Sequence, residues 1–289
     1  MGLYRNRIVV KVGTSTLTND QGANNLRSFD RLACVLSDIQ NMGQDVVLVS
    51  SGAIALGANR MRMKSRPAAM REKQAAAAVG QCSLMNLYGK FFNDYDKTIA
   101  QILLNAEDME HEEKKENLTN TFNALLEMGV IPVVNENDSV SYTEIQSEDR
   151  LFGDNDMLSA VVAVLCGACR LVIFSDIDGF YTRDPRLYPD ARLIERVSTI
   201  DDTVQSLAGG AGSRRGRGGM QTKLQAAQLA TAQGIDTVIA NGKNPESLYD
   251  ILEGRPVGTL FVGKEREVRS PHADADHKRR AVAEAGSIA

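Results

Sequence analysis

Short runs of apolar residues alternate along the chain with stretches whose apolar positions recur every three or four residues. The first run, 7–12 (Arg-Ile-Val-Val-Lys-Val), reads as a strand ending in Gly13-Thr14-Ser15-Thr16. Leu26, Phe29, Leu32, Ala33, Leu36 and Ile39 then follow at helical spacing across 26–42, and Gly43 is placed to end that helix. A second strand, 45–50, breaks into Ser51-Gly52-Ala53 and a new helix, and 68–93 is alanine-rich and helical. Strands are predicted at 98–104, 130–134, 171–174, 235–240 and 258–262, with helices at about 117–128, from an Asp154 N-cap to Cys166, at about 219–233 and near 246–252. Apolar strands without internal alternation, interleaved with helices, predict a mostly parallel sheet covered on both faces: an α/β fold in which helices sandwich the sheet. From Gly263 large apolar residues nearly vanish, so 1–262 reads as the folded domain and 263–289 as a charged, mobile or weakly docked tail.

Composition narrows the chemistry. With 43% apolar residues the chain can bury a core, yet no run reaches the roughly 20 residues of a membrane span. The first residues lead directly into a strand rather than a leader, so a cytoplasmic protein is expected. A net charge of −4 gives no general attraction to nucleic acid or anionic membrane. Four cysteines are too few for a disulfide framework, and three histidines leave almost no candidate for a buried histidine base.

Ligands of open α/β sheets bind at the carboxyl ends of the strands, and the unusual residues gather there. Lys11 lies inside an apolar strand, which is unfavourable unless its ammonium reaches an anion or snorkels to water. Ser50-Ser51-Gly52-Ala53-Ile54 is a small-residue turn into a helix, suited to an anion or simply to a tight connection. Asn135-Glu136-Asn137-Asp138 and Gly153-Asp154-Asn155-Asp156 cluster side chains able to hold an ammonium and a carboxylate. Ser175-Asp176 opens a stretch whose Asp-Gly and Asp-Pro pairs alone mean turns. Arg217-Gly218-Gly219-Met220-Gln221-Thr222-Lys223 runs into a helix like a phosphate loop. It is not the Gly-x-x-x-x-Gly-Lys-Ser/Thr loop, and the protein-kinase glycine loop and the dinucleotide fingerprint are absent as well.

In order, these segments resemble the amino acid kinase family: Val10-Lys11-Val12-Gly13-Thr14-Ser15, Ser50-Ser51-Gly52-Ala53-Ile54, Asn135–Asp138, Gly153–Asp156, Asp178-Gly179-Phe180-Tyr181-Thr182-Arg183-Asp184-Pro185 and Gly218–Lys223. Ala78-Val79-Gly80-Gln81 and Gly258-Thr259-Leu260-Phe261 fit the same pattern, and the likeness covers 7–262. It implies an αβα sandwich with an N-terminal acyl-acceptor lobe and a C-terminal nucleotide lobe. Asn-Glu-Asn-Asp together with Gly-Gly-Met-x-Thr-Lys implies a member that passes the γ-phosphoryl of ATP, with Mg2+, to the γ-carboxylate of L-glutamate, the first step of proline synthesis. By the same resemblance Ser51, Gly52, Ala53, Asn135, Asp138 and Asn155 would bind glutamate. Gly13, Ser175, Asp176, Tyr181, Arg217, Gly218, Gly219, Met220 and Thr222 would hold ATP. Lys11 and Lys223 would contact the transferring group, with Asp156 orienting both. The alternatives are another family member, acting on acetylglutamate, carbamate, aspartate or UMP, and a non-catalytic sensor of a nucleotide or amino acid.

Several departures matter. Ser175 stands where members often have threonine, Arg217 replaces a small residue, and 142–152 is a longer loop in a neighbourhood that the family links to feedback inhibition by proline. The 27 residues after Val262 are too few for the C-terminal domain, like those of RNA-modifying enzymes, that many bacterial members carry. Members form homo-oligomers, dimers or tetramers, so one is expected here.

The proposed chemistry suits the composition. A carboxylate with a pKa of about 4.3 is ionised at pH 7 and needs no base, so the scarcity of histidine is no obstacle. Phosphoryl transfer then rests on alignment and cationic charge. The modest net charge also hides opposed regions: 135–156 holds seven acids and one arginine, whereas 213–223 holds Arg214, Arg215, Arg217 and Lys223 without an acid. Cys166-Gly-Ala-Cys169 has metal spacing but no second pair, and the basic run from Arg60 to Lys73 reads as a solvated face.

Overall fold

The structure, a computed structural model, describes residues 3–19, 24–140, 155–208, 219–264 and 268–269. Its first half runs β1 (Leu3–Val12), α1 (Thr14–Leu17), α2 (Leu26–Asn41), β2 (Asp45–Ser50), α3 (Ala53–Arg60), α4 (Met70–Asp94), β3 (Ile99–Leu104), α5 (Glu112–Glu127) and β4 (Ile131–Glu136). The second half runs α6 (Asn155–Leu165), β5 (Ala168–Ser175), β6 (Arg196–Val197), α7 (Asp202–Ala208), α8 (Met220–Ala232), β7 (Asp236–Asn241), α9 (Ser247–Leu252), β8 (Thr259–Phe261) and β9 (Val268–Arg269).

One sheet takes the order β3-β4-β2-β1-β5-β7-β8-β6, with β9 on β1. Every neighbouring pair is parallel except β7 and β8. Successive side chains of β1 point to opposite faces. Ile8, Val10 and Val12 pack with Phe29 and Leu36 of α2, Leu84 and Tyr88 of α4 and Leu248 of α9. Val9 packs on the other face with Phe122 of α5, Leu158 and Val162 of α6 and Leu224 and Ala227 of α8. Both faces of β1 are therefore dry, which is why its pattern shows no polar alternation. Lys11, two residues beyond Val9, faces α6 and α8.

The predicted elements are present with small changes of boundary. β1 begins at Leu3 because Tyr4 pairs with Ala168 and Leu3 with Val268, so two residues of the predicted tail return to the sheet. α5 begins at Glu112 after a 3-10 turn, Ala106–Met109. The Asp154 cap lies outside the described residues, as does most of 263–289.

Two features fix the turn after β2. Gly52 has φ +106°, a conformation that strains any residue with a Cβ. A Cβ on Gly57 of α3 would lie 1.7 Å from the Ala76 carbonyl oxygen, and one on Gly80 of α4 would lie 1.7 Å from that of Ala53. The two helices thus cross with their backbones in contact, and Ala53 at the start of α3 is held down on α4.

Candidate active site

The chain order changes direction across the sheet at β1, where β2 lies on one side and β5 on the other. Crevices at such a switch point, outside the carboxyl ends of the strands, are the ligand sites of open α/β folds. Three charged side chains meet there. Lys11 Nζ lies 2.6 Å from Asp156 Oδ1, and Lys223 Nζ donates to Asp156 Oδ2 at 2.9 Å. Lys11 is 5% exposed, Asp156 0% and Lys223 7%, so the lysine in the apolar strand reaches an anion instead of snorkelling. β1 supplies Lys11, the first turn of α6 supplies Asp156, and the first turn of α8 supplies Lys223. Thr222 Oγ1 sits 3.2 Å from Asp156 Oδ2 and 2.9 Å from the Gly219 carbonyl oxygen. Burial opposes ionisation of Asp156, but the charges and hydrogen bonds of Lys11 and Lys223 outweigh it and hold the carboxyl below its ordinary range. Within the triad two ammonium groups thus share one carboxylate in a nearly waterless position.

On one side of this triad, amide side chains form a relay. Asn155 Nδ2 donates to the Ser50 carbonyl oxygen at 3.0 Å and to Asn135 Oδ1 at 2.9 Å. Asn135 Nδ2 donates to Gln81 Oε1 at 3.0 Å, and Gln81 Nε2 donates to Gln101 Oε1 at 3.1 Å. Ala53, Gln81, Leu103, Glu136 and Asp138 line one small cleft beside the relay. Burial alone pushes the Asp138 carboxyl up from 3.8 to about 6. The Ser51 N–H donates to the Val12 carbonyl oxygen at 3.1 Å, tying the turn after β2 to β1. Gly13 sits beside Lys11, whose Nζ would be 3.5 Å from an added Cβ, and Thr14 Oγ1 is near Gly52. The predicted acceptor residues are thus contiguous.

On the other side lie the ends of β5 and β7. Ser175 Oγ donates to Asp176 Oδ1 at 3.3 Å, and Arg186 Nη2 pairs with Asp176 Oδ2 at 2.5 Å. Burial works against the Asp176 charge, but Arg186 prevails and lowers its pKa. Tyr181 Oη donates to Asp178 Oδ2 at 3.2 Å, and Asn241 Nδ2 donates to Asp178 Oδ1 at 2.8 Å. Burial first, then Asp178, raises the Tyr181 pKa. Phe180 is buried on Phe261, and Thr259 Oγ1 bonds the Phe180 N–H and the Ile194 carbonyl oxygen. Gly179, Phe180 and the Gly258–Phe261 segment are therefore a packing unit. Met220 packs at the edge of the α6–α8 core. Arg217 and Gly218 lie outside the described residues.

Gln101, Tyr88, Arg186 and Asn241 escaped the sequence reading. Tyr88 Oη is 2.8 Å from Ser50 Oγ, and burial raises its pKa. Each of these contacts joins residues distant in the chain or set in a turn, so spacing carries no sign of them. Gln81 stood in a quoted motif, and that motif was the available signal. Cys166 is buried, and burial pushes its thiol up to about 12.

A triad of buried charge thus stands at the switch point, with an amide-lined cleft beside it and the ends of β5 and β7 opposite. The family model of the amino acid kinase family matches residues 6–241, and the chain belongs to that family. Among its relatives is the glutamate 5-kinase of Clostridium perfringens (strain 13 / Type A), 55% identical over 261 residues, which cover 90% of this chain and 97% of that protein. The glutamate 5-kinase of Enterococcus faecalis (strain ATCC 700802 / V583) is 46% identical over 256 residues, 89% of this chain and 94% of that one. A carbamate kinase from Giardia lamblia bound to AMP-PNP shares the fold at TM-score 0.63 and 14% identity, over 90% of this chain and 99% of that one. A UMP kinase from Bacillus anthracis does so at TM-score 0.59 and 16% identity, over 90% and 97%.

Proposed function

We propose that the chain transfers the γ-phosphoryl group of ATP to the γ-carboxylate of L-glutamate, giving L-glutamyl 5-phosphate. The buried Lys11–Asp156–Lys223 triad carries this reading. Its two ammonium groups lie between the amide-lined cleft and the ends of β5 and β7, where a transferring phosphoryl group would develop charge on its oxygens. Lys11 and Lys223 stabilise that charge, and Asp156 holds both ammonium groups in place.

The acceptor half comprises the relay and cleft. The relay consumes the amide hydrogens of Asn155 in one direction and leaves its side-chain oxygen to accept from a substrate ammonium. Asp138 supplies the opposing charge, and the start of α3 at Gly52 and Ala53 offers first-turn N–H groups to a carboxylate. Ser175, Asp176 and Tyr181 would border the nucleotide, with Gly219 and Thr222 beneath its phosphates. Among the described residues no group of three His, Cys, Asp or Glu side chains could hold a metal. Mg2+ would be held chiefly by the nucleotide's own phosphate oxygens, whose charge it would neutralise.

ADP release measured with a panel of acceptors tests the reading. Glutamate should stimulate it and form a hydroxylamine-trappable acyl phosphate, whereas aspartate, acetylglutamate, carbamate and UMP should not. Proline, which shares the α-carboxylate and a cationic nitrogen with glutamate, is the expected inhibitor. Stimulation by another acceptor and none by glutamate would overturn the assignment.

A further inference from the structure

A larger cleft, of about 780 Å³, opens between the C-terminal end of α3 and the middle of α4, and none of the triad or relay residues lines it. That volume falls in the range of pockets that enclose small organic ligands. Arg60 and Arg62 form part of its wall, Asn86 stands on α4, and Leu56 and Leu87 give it an apolar floor. Among the described residues the lining contains no carboxylate, and neither arginine takes part in an ion pair. Asn24 also lines the cleft, and its side-chain oxygen is buried without a hydrogen-bond partner among the described residues. A half-turn of that amide would present its NH2 group inward.

The surroundings reinforce the charge. Between Arg60 and Lys73 the chain carries six cationic residues against the single acid Glu72, and Arg60 and Arg62 of that basic stretch line the cleft. Guanidinium groups match phosphate oxygens in bidentate geometry better than any other side chain. We infer that this cleft is a second binding site, for a small organic phosphate whose anionic group meets Arg60 and Arg62 and whose body rests on Leu56 and Leu87. The site is mechanically connected to the acceptor end: Leu56 lies one turn from Ala53 on α3, and Cys82, another lining residue, follows Gln81 of the relay. Occupancy should therefore change the KM for glutamate. That consequence rests on the proposed function, whereas binding itself does not.

Calorimetric titration of the intact chain with phenyl phosphate and with inorganic phosphate separates the two parts of the claim. Phenyl phosphate should bind tighter, because only it reaches the apolar floor. Hydrogen bonds to charged groups are strong enough that Arg60→Gln with Arg62→Gln should weaken binding at least about tenfold per arginine. Asn86→Asp, which sets a carboxylate on the facing wall, should weaken it as well, with the melting temperature unchanged. Lys223→Gln should bind as the parent does. Binding that survives the arginine changes but falls in Lys223→Gln would place the anion at the triad and overturn the inference. Failure of the unaltered chain to bind either probe at millimolar concentration would do the same.

Discussion

Replacing Asp138 with asparagine should make the chain more stable and a worse catalyst in one step. Its carboxyl is buried, no counter-charge among the described residues lowers its pKa, and burial raises it from 3.8 to about 6. At about 1.4 kcal/mol per pH unit, that gap sets an upper bound of about 3 kcal/mol on what the ionised group removes from the fold at pH 7. Solvent at the mouth of the cleft reduces this, so a gain of about 1–2 kcal/mol is expected from the isosteric amide. The sign follows from linkage. The folded pKa lies above the unfolded one, so the cost is fully present above pH 6 and fades as pH falls through 6 towards 4. The advantage of Asp138→Asn in urea unfolding should accordingly be full at pH 7.5 and absent near pH 4. Activity should move the other way. A charge-assisted hydrogen bond to the substrate ammonium is worth about 1.5–3 kcal/mol, so KM for glutamate should rise roughly 10- to 100-fold while kcat changes little. In the parent enzyme KM should climb as pH drops below about 6. A variant that is less stable at pH 7.5, or one with an unaltered KM, would refute the role given to this carboxylate.

Other outcomes follow from the same structure. Lys223→Ala should keep its fold, since Asp156 retains Lys11, yet lose roughly 10²–10³ in turnover in the ADP-release assay. Asp156→Asn strands two buried ammonium groups and should cost about 3–5 kcal/mol in denaturant unfolding. Because the Asp156 pKa is depressed, its contribution to stability exists above about pH 3.8 and disappears as pH falls through the folded value, so the acid limb of the parent's unfolding curve should be steep where that of Asp156→Asn is flat. Gly80→Ala should force α4 off the Ala53 carbonyl oxygen, costing at least about 2 kcal/mol and raising KM for glutamate, which thermal melts and kinetics would register together. Tyr88→Phe removes only the contact with Ser50 Oγ and should lower stability by about 1 kcal/mol without changing kcat.

Residues with unbroken apolar strands were the readable part of the fold. Ile8–Val10 and Val46–Val49 are dry on both faces, and burial on both sides leaves its mark in sequence as a continuous run. The start of β1 was not readable, because Tyr4 joins the sheet through backbone pairing with Ala168 and Arg269, which no apolar pattern records. α7 has no buried residue and β6 only two residues in all, too few for a period to show. Lys11 stood out in the site because a lysine inside an apolar run demands an anion. That the anion is Asp156, shared with Lys223, came from the family resemblance, since 145 and 67 residues of chain separate the partners and only the sheet order unites them. The relay through Gln81 and Gln101 and the pairing of Asp176 with Arg186 depend on where helices cross and loops return, and local pattern contains neither.

The meeting of the buried triad only in the folded chain also couples the nucleotide to the lifetime of the fold. Two ammonium groups share the Asp156 carboxylate, and a phosphate arriving beside them adds negative charge next to both. A ligand that binds only the folded chain stabilises it by RT ln(1 + [L]/Kd), so nucleotide at 100 times its Kd adds about 2.7 kcal/mol. Resistance of this chain to unfolding and proteolysis would then follow the energy charge of its surroundings, rising when ATP is plentiful and falling when it is scarce.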